Sequence, residues 1–110
     1  MNKNLVKEKI KEIILSSPEL KNDYEILFKN KLGYMTNRIH EHCDKELDKY
    51  DANSFRGFIA ASEENTRTTY ANIINQKVRA RLEKLMGRKV AYEPFIEIMR
   101  EVMDDLKEDV

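Results

Sequence analysis

From Leu20 to Tyr50 the apolar side chains Leu20, Tyr24, Leu27, Phe28, Leu32, Met35, Ile39, Cys43, Leu47 and Tyr50 recur in steps of three and four without losing phase. That spacing suits an α-helix with 3.6 residues per turn and puts alternate residues of a strand on the wrong faces. The same period returns elsewhere. Leu5, Val6, Ile10, Ile13 and Ile14 gather on one side of a first helix, and Phe95, Ile98, Met99, Val102 and Leu106 on one side of a last. With three glycines, two prolines, no tryptophan and 36% charged residues in 110, the chain lacks the turn residues that a β-rich fold of this length needs. The expected class is all-α: a single helical bundle of four to five helices, with two long central helices, forming one domain over residues 1–110. A chain of this size buries about two thirds of its unfolded surface, enough for one core.

Local signals set the expected boundaries. Ser17-Pro18-Glu19 combines an N-cap, a proline at the first helical position and an acid in the first turn. The long series that follows predicts one continuous helix, with a bend at Gly33. Asp51-Ala52-Asn53-Ser54 reads as a turn, followed by a short apolar patch of Phe55, Phe58 and Ile59. Ser62, ahead of Glu63 and Glu64, caps the next helix, and Gly87 closes it in the left-handed conformation usual there. The last helix begins at about Glu93, with Pro94 in its first turn.

Net charge is zero, with 20 basic and 20 acidic residues, but the charge is unevenly placed. Between residues 65 and 92, Arg67, Lys77, Arg79, Arg81, Lys84, Arg88 and Lys89 stand against the single acid Glu83. On a helical wheel Ala71, Ile74, Val78, Leu82 and Leu85 form the core arc. Lys77, Arg81, Lys84 and Arg88 fall beside it as a stripe about 16 Å long, with Arg79 on the other flank. Such a stripe matches a line of phosphates, where neutralised charges release counterions. It equally suits a solvated face paired with the acids of another helix, such as Glu97, Glu101 and Asp104. Lys3, Lys7, Lys9 and Lys11 of the first helix either extend the basic surface or serve solubility.

Other constellations are weaker. His40-Glu41-His42-Cys43-Asp44 collects metal-ligand residue types, yet His40 and His42 point about 200° apart on a helix and cannot share an ion. The pairs His40 with Asp44 and His42 with Glu46 are better spaced but need ligands from elsewhere. The same opposed geometry argues against a histidine ribonuclease. Cys43 lies on the apolar series and reads as a small buried side chain. No phosphate-binding glycine loop, nucleophile elbow or zinc-finger spacing occurs, so no enzyme, metal or cofactor is expected. Tyr24, Tyr34, Tyr50, Tyr70 and Tyr92 are candidates for stacking on bases; most read as core, with Tyr70 at the border of the basic stripe. A single cysteine, a charged N-terminus without a signal-peptide core and no bilayer-spanning apolar run lead to the expectation of a soluble, cytoplasmic protein with no membrane partner.

Ala60-Ala61-Ser62, the stretch through Ile73 and Ile74, Leu82-Glu83-Lys84-Leu85, Tyr92 and the Ile96-Glu97-Ile98-Met99 run resemble, in order and spacing, one known region. It is the C-terminal helical part of the large subunit of subtype I-C CRISPR Cascade complexes. Leu32-Gly33-Tyr34-Met35 likewise resembles the Leu-Gly-Arg-Leu that opens that part. The resemblance covers roughly residues 31 to 103. It implies a separately produced, all-helical small subunit of the antiviral complex, without catalytic residues. Such a subunit lines the belly of the crRNA-guided assembly and helps hold target DNA, especially the displaced strand. Its implied partners are nucleic acid, the other Cascade subunits and further copies within the multi-subunit assembly. The alternative is a helical protein-interaction adaptor or regulator, dimeric through its long helices, that turns the basic stripe toward an acidic partner and has no nucleic-acid role.

Overall fold

The computed structural model describes residues 2–46 and 62–109, and side chains over 2–41 and 62–108. The class is all-α, with five helices and no strand among the described residues: α1 (Lys3–Leu15), α2 (Pro18–Phe28), α3 (Leu32–Glu46), α4 (Glu63–Met86) and α5 (Tyr92–Asp109). The expected turn at 51–54, the patch at Phe55, Phe58 and Ile59, and the residues Leu47, Tyr50, Ala60 and Ala61 lie outside the described residues, as do the side chains of His42 and Cys43.

Helix boundaries follow from side chains that satisfy otherwise orphaned backbone groups. The Leu20 N–H donates to Ser17 Oγ at 3.3 Å, and the Asn65 N–H to Ser62 Oγ at 3.0 Å, so both expected serine caps act as such. Asn2 does the same for α1, accepting from Leu5 N–H at 3.2 Å.

The second helix differs from its expectation. Instead of one helix bent at Gly33, the chain forms α2 and α3, divided at Lys29-Asn30-Lys31. Asn30 holds φ 53°, its N–H donates to Leu27 O at 3.1 Å, and the Lys31 N–H reaches back to Ile26 O at 3.1 Å. This is a Schellman ending, with asparagine in the left-handed position it tolerates better than most residues. Gly33 sits inside the first turn of α3, in ordinary helical geometry. The apolar phase survives the three-residue break, which is why periodicity alone conceals it.

The chain divides into two compact units: Met1–Asn22 with Asn75–Val110, and Asp23–Ile74. In the first unit α1 packs against α5, burying Val6, Ile10 and Ile14 of the one and Phe95, Ile98, Met99, Val102 and Leu106 of the other. Val78 and Leu82 of α4 are fully buried in the same unit. Truncating Phe95 to alanine would cost about 3–5 kcal/mol. A ladder of ion pairs fixes the α1–α5 register: Lys3 with Glu101, Lys7 with Asp105 and Lys11 with Asp105, each at 2.9 Å. The pairing residues advance together along both helices, so α1 and α5 run parallel. In the second unit Tyr24, Ile26, Met35, Ile39, Tyr70 and Ile74 form the core.

Candidate nucleic-acid interface

α4 ends where its sequence says it should. Gly87 adopts φ 69°, its N–H donates to Glu83 O at 2.9 Å, and the Arg88 N–H reaches the same carbonyl at 3.3 Å. The Glu83 carboxylate then accepts the Val90 N–H at 2.8 Å, and Val90 itself is buried. One residue thus holds the turn from both its backbone and its side chain. The turn folds Arg88 and Lys89 back beside the last turns of α4, and with Lys84, Ala80 and Glu83 they line an open hollow of about 450 Å³. Lys84, Arg88 and Lys89 are exposed and form no ion pair among the described residues. Among the described residues the one acid lining the hollow, Glu83, is turned toward the Val90 amide. Three cations against one acid leave the rim of the hollow net positive, a field that attracts an incoming anion.

The other expected cations take different positions. Lys77 is not part of a free stripe: its Nζ pairs with Glu19 at 2.9 Å and its side chain is only 14% exposed. Arg79 places its guanidinium 5.5 Å from the centroid of the Tyr92 ring. Arg81 is half-buried on the helix. Arg88 lies beyond the last helical residue, Met86, so the stripe does not continue along the helix edge. Arg67, in the other unit, is exposed and donates to Asn30 Oδ1 at 3.5 Å. Leu85, assigned to the core arc, is 55% exposed, because the helix ends one residue later.

Among the described residues the acids of α5 form no ion pair with α4. Glu101 and Asp105 are held by Lys3, Lys7 and Lys11 of α1. The hydrogen bonds from Lys11 and Lys7 lower the Asp105 carboxyl from 3.8 to about 2, and the bond from Lys3 lowers that of Glu101. Three of the four α1 lysines are therefore spent on structure and do not extend the basic surface.

Sequence reasoning missed a buried polar cluster in the second unit. Asp23 on α2 is wholly buried. Arg38 of α3 grips it with two bonds, Nε to Oδ1 at 2.8 Å and Nη2 to Oδ2 at 3.0 Å, while its Nη1 reaches Glu41 at 2.6 Å. The Tyr70 hydroxyl of α4 donates to Asp23 Oδ1 at 2.6 Å. Tyr70, expected at the border of the stripe and available to a base, is instead fully buried. Burial first, then the bond to Asp23 and its charge, push the Tyr70 hydroxyl far up, so it stays protonated. Tyr24 is core as well, whereas Tyr34 and Tyr92 are exposed. His40 lies on the surface, and among the described residues no group of three or more histidines, cysteines or carboxylates is placed to share a metal ion. No helix among them is long and apolar enough to cross a membrane.

No protein-family model, curated protein or solved structure matches this chain.

Proposed function

We propose that the chain is a non-catalytic, cytoplasmic small subunit of a crRNA-guided Cascade-type antiviral complex, binding a DNA strand by its phosphate backbone. The convergence of Lys84, Arg88 and Lys89 on one hollow, where the acid Glu83 is turned toward the Val90 amide, carries the nucleic-acid part of this reading. The order of short motifs from Leu32 to Met99 supports the guide-complex part. A backbone contact of this kind is salt-sensitive and independent of sequence, each phosphate engaged adding about 0.7 to the salt slope for a single strand.

The test is binding of the full chain to a DNA strand across a salt series, beside the variant K84E/R88E/K89E. The wild type binds, with affinity falling as salt rises; the variant keeps its helicity and loses binding. Equal binding by the two proteins overturns the reading. Lys77 is left out because reversing it would place a second acid against Glu19. A parallel reconstitution with a subtype I-C guide complex lacking its small subunit tests the assembly. A protein that assembles with protein partners but never retains DNA is instead a helical adaptor.

A further inference from the structure

Arg79 stands five residues before Lys84, about 140° away around α4, so it cannot serve the hollow from the same side. It is committed elsewhere. Its guanidinium lies 5.5 Å from the Tyr92 ring centroid, within the range of a cation–π contact, and a planar guanidinium stacks well on an aromatic face. Tyr92 opens α5, yet its ring is not a core residue: it remains 39% exposed, while Phe95 one turn on is fully buried. The Tyr92 hydroxyl has no hydrogen-bond partner among the described residues. An exposed ring steadied by a cation is a surface on which a further flat π-system can be laid.

Tyr92 also stands close to the cations. Val90 and Ala91 alone separate it from Lys89, and an extended chain covers at most about 3.6 Å per residue, so over these three steps their Cα atoms lie within about 11 Å. Flexible lysine and arginine side chains span much of that gap. Phosphate-binding cations beside a stacking aromatic make the combination by which single strands are held without sequence preference.

We propose that Tyr92, steadied by Arg79, is a stacking platform for one unpaired nucleobase of the strand whose phosphates occupy the Lys84, Arg88 and Lys89 hollow. This rests on the nucleic-acid reading above and adds to it a contact with the base. The ring can accept only a base whose face is free, so a paired duplex interior is excluded from this site. Arg79 is a positioning residue that acts through Tyr92.

The experiment compares the full chain on oligothymidylate, on an abasic strand of the same length and charge, and on a blunt duplex. The wild type prefers oligothymidylate to the abasic strand by about tenfold. Y92L, with helicity intact, abolishes that preference and leaves the salt slope unchanged, whereas Y92F retains it. The abasic comparison on the wild type stands even if Y92L folds poorly. Equal wild-type affinity for oligothymidylate and the abasic strand overturns the platform, as does a preference that survives in Y92L. In either case, loss of binding by K84E/R88E/K89E still upholds the backbone contact. If the wild type binds none of the three ligands, the nucleic-acid reading falls and the platform falls with it.

Discussion

The Tyr70 hydroxyl donates to the Asp23 carboxylate at 2.6 Å across 47 residues of sequence, and both side chains are fully buried. Desolvating a carboxylate costs several kcal/mol unless its lone pairs are met. Here they are met by a bidentate guanidinium from Arg38 and a hydroxyl from Tyr70. The cluster fixes which faces of α2, α3 and α4 meet within the second unit, because sliding any of the three leaves a buried charge unpaired.

Removing members of this cluster one at a time has unequal consequences. Tyr70→Phe leaves Asp23 with Arg38 and costs about 1.5–3 kcal/mol, the range for a hydrogen bond to a charged group. Arg38→Met removes both guanidinium bonds and the paired charge from the buried carboxylate and costs about 3–5 kcal/mol. Urea unfolding measures both, and the double variant falls short of the sum because the two act on one acceptor. Strict additivity would show that the groups do not share Asp23 in solution.

Lys77 and Lys84 are neighbours on the wheel but differ in what they touch. Lys77 pairs with Glu19, while Lys84 lines the hollow. Lys84→Met is expected to leave stability within about 0.5 kcal/mol and to lower the salt slope of DNA binding by about 0.7. Lys77→Met lowers stability by up to about 1 kcal/mol and leaves the slope unchanged. A slope reduced equally by both substitutions would restore Lys77 to the binding surface.

The contrast also marks what a sequence can and cannot disclose here. Ser17, Ser62 and Gly87 were legible because capping is settled within four residues, each cap by its own side-chain chemistry or its own φ. The basic character of the α4 end was legible from Lys84-Leu85-Met86-Gly87-Arg88-Lys89, but its geometry was not. A wheel continued past Gly87 assigns Arg88 to a helix edge, whereas the turn brings it beside Lys84. The Lys77–Glu19 pair joins residues 58 apart, beyond any local pattern. The buried cluster did leave one trace: Asp23 stands between Leu20 and Tyr24 on an apolar face, and a carboxylate there demands a partner. The break at Asn30 left none in the periodicity, because the next apolar residue, Leu32, is still four after Phe28.

Acid acts on the first unit through the α1–α5 ladder. The Lys11 and Lys7 hydrogen bonds lower Asp105 from 3.8 to about 2 in the folded protein. A depressed folded value means stabilisation that is present above pH 3.8 and lost as pH falls through about 2. Glu101, lowered by its bond to Lys3, acts in the same direction. The thermal midpoint should therefore fall between about pH 4 and pH 2, and Asp105→Asn should flatten that fall; identical slopes would remove Asp105 as the cause. At the alkaline end the sign reverses. Burial raises the hydroxyls of Tyr24 and Tyr70 above 10.0, so their contribution is complete below pH 10 and declines as pH rises beyond it.

Two glycines with equally open surroundings should answer oppositely to alanine. Among the described residues a Cβ meets nothing within 4 Å at Gly33 or at Gly87, so the difference there is one of backbone. Gly33 lies in the first turn of α3, where alanine reduces the freedom of the unfolded chain and adds up to about 0.5–1 kcal/mol of stability. Gly87 holds φ 69°, and alanine there costs about 1–2 kcal/mol, asparagine less. The Gly87 substitution carries a second effect that the Gly33 substitution lacks. Arg88 and Lys89 reach the hollow only because the chain turns left-handed at Gly87, so Gly87→Ala should weaken DNA binding as well, with Gly87→Asn recovering most of it. Denaturation midpoints and strand affinities measured on the same three variants decide the matter. Loss of stability at Gly87 without loss of binding would mean that the cations find the strand independently of the turn.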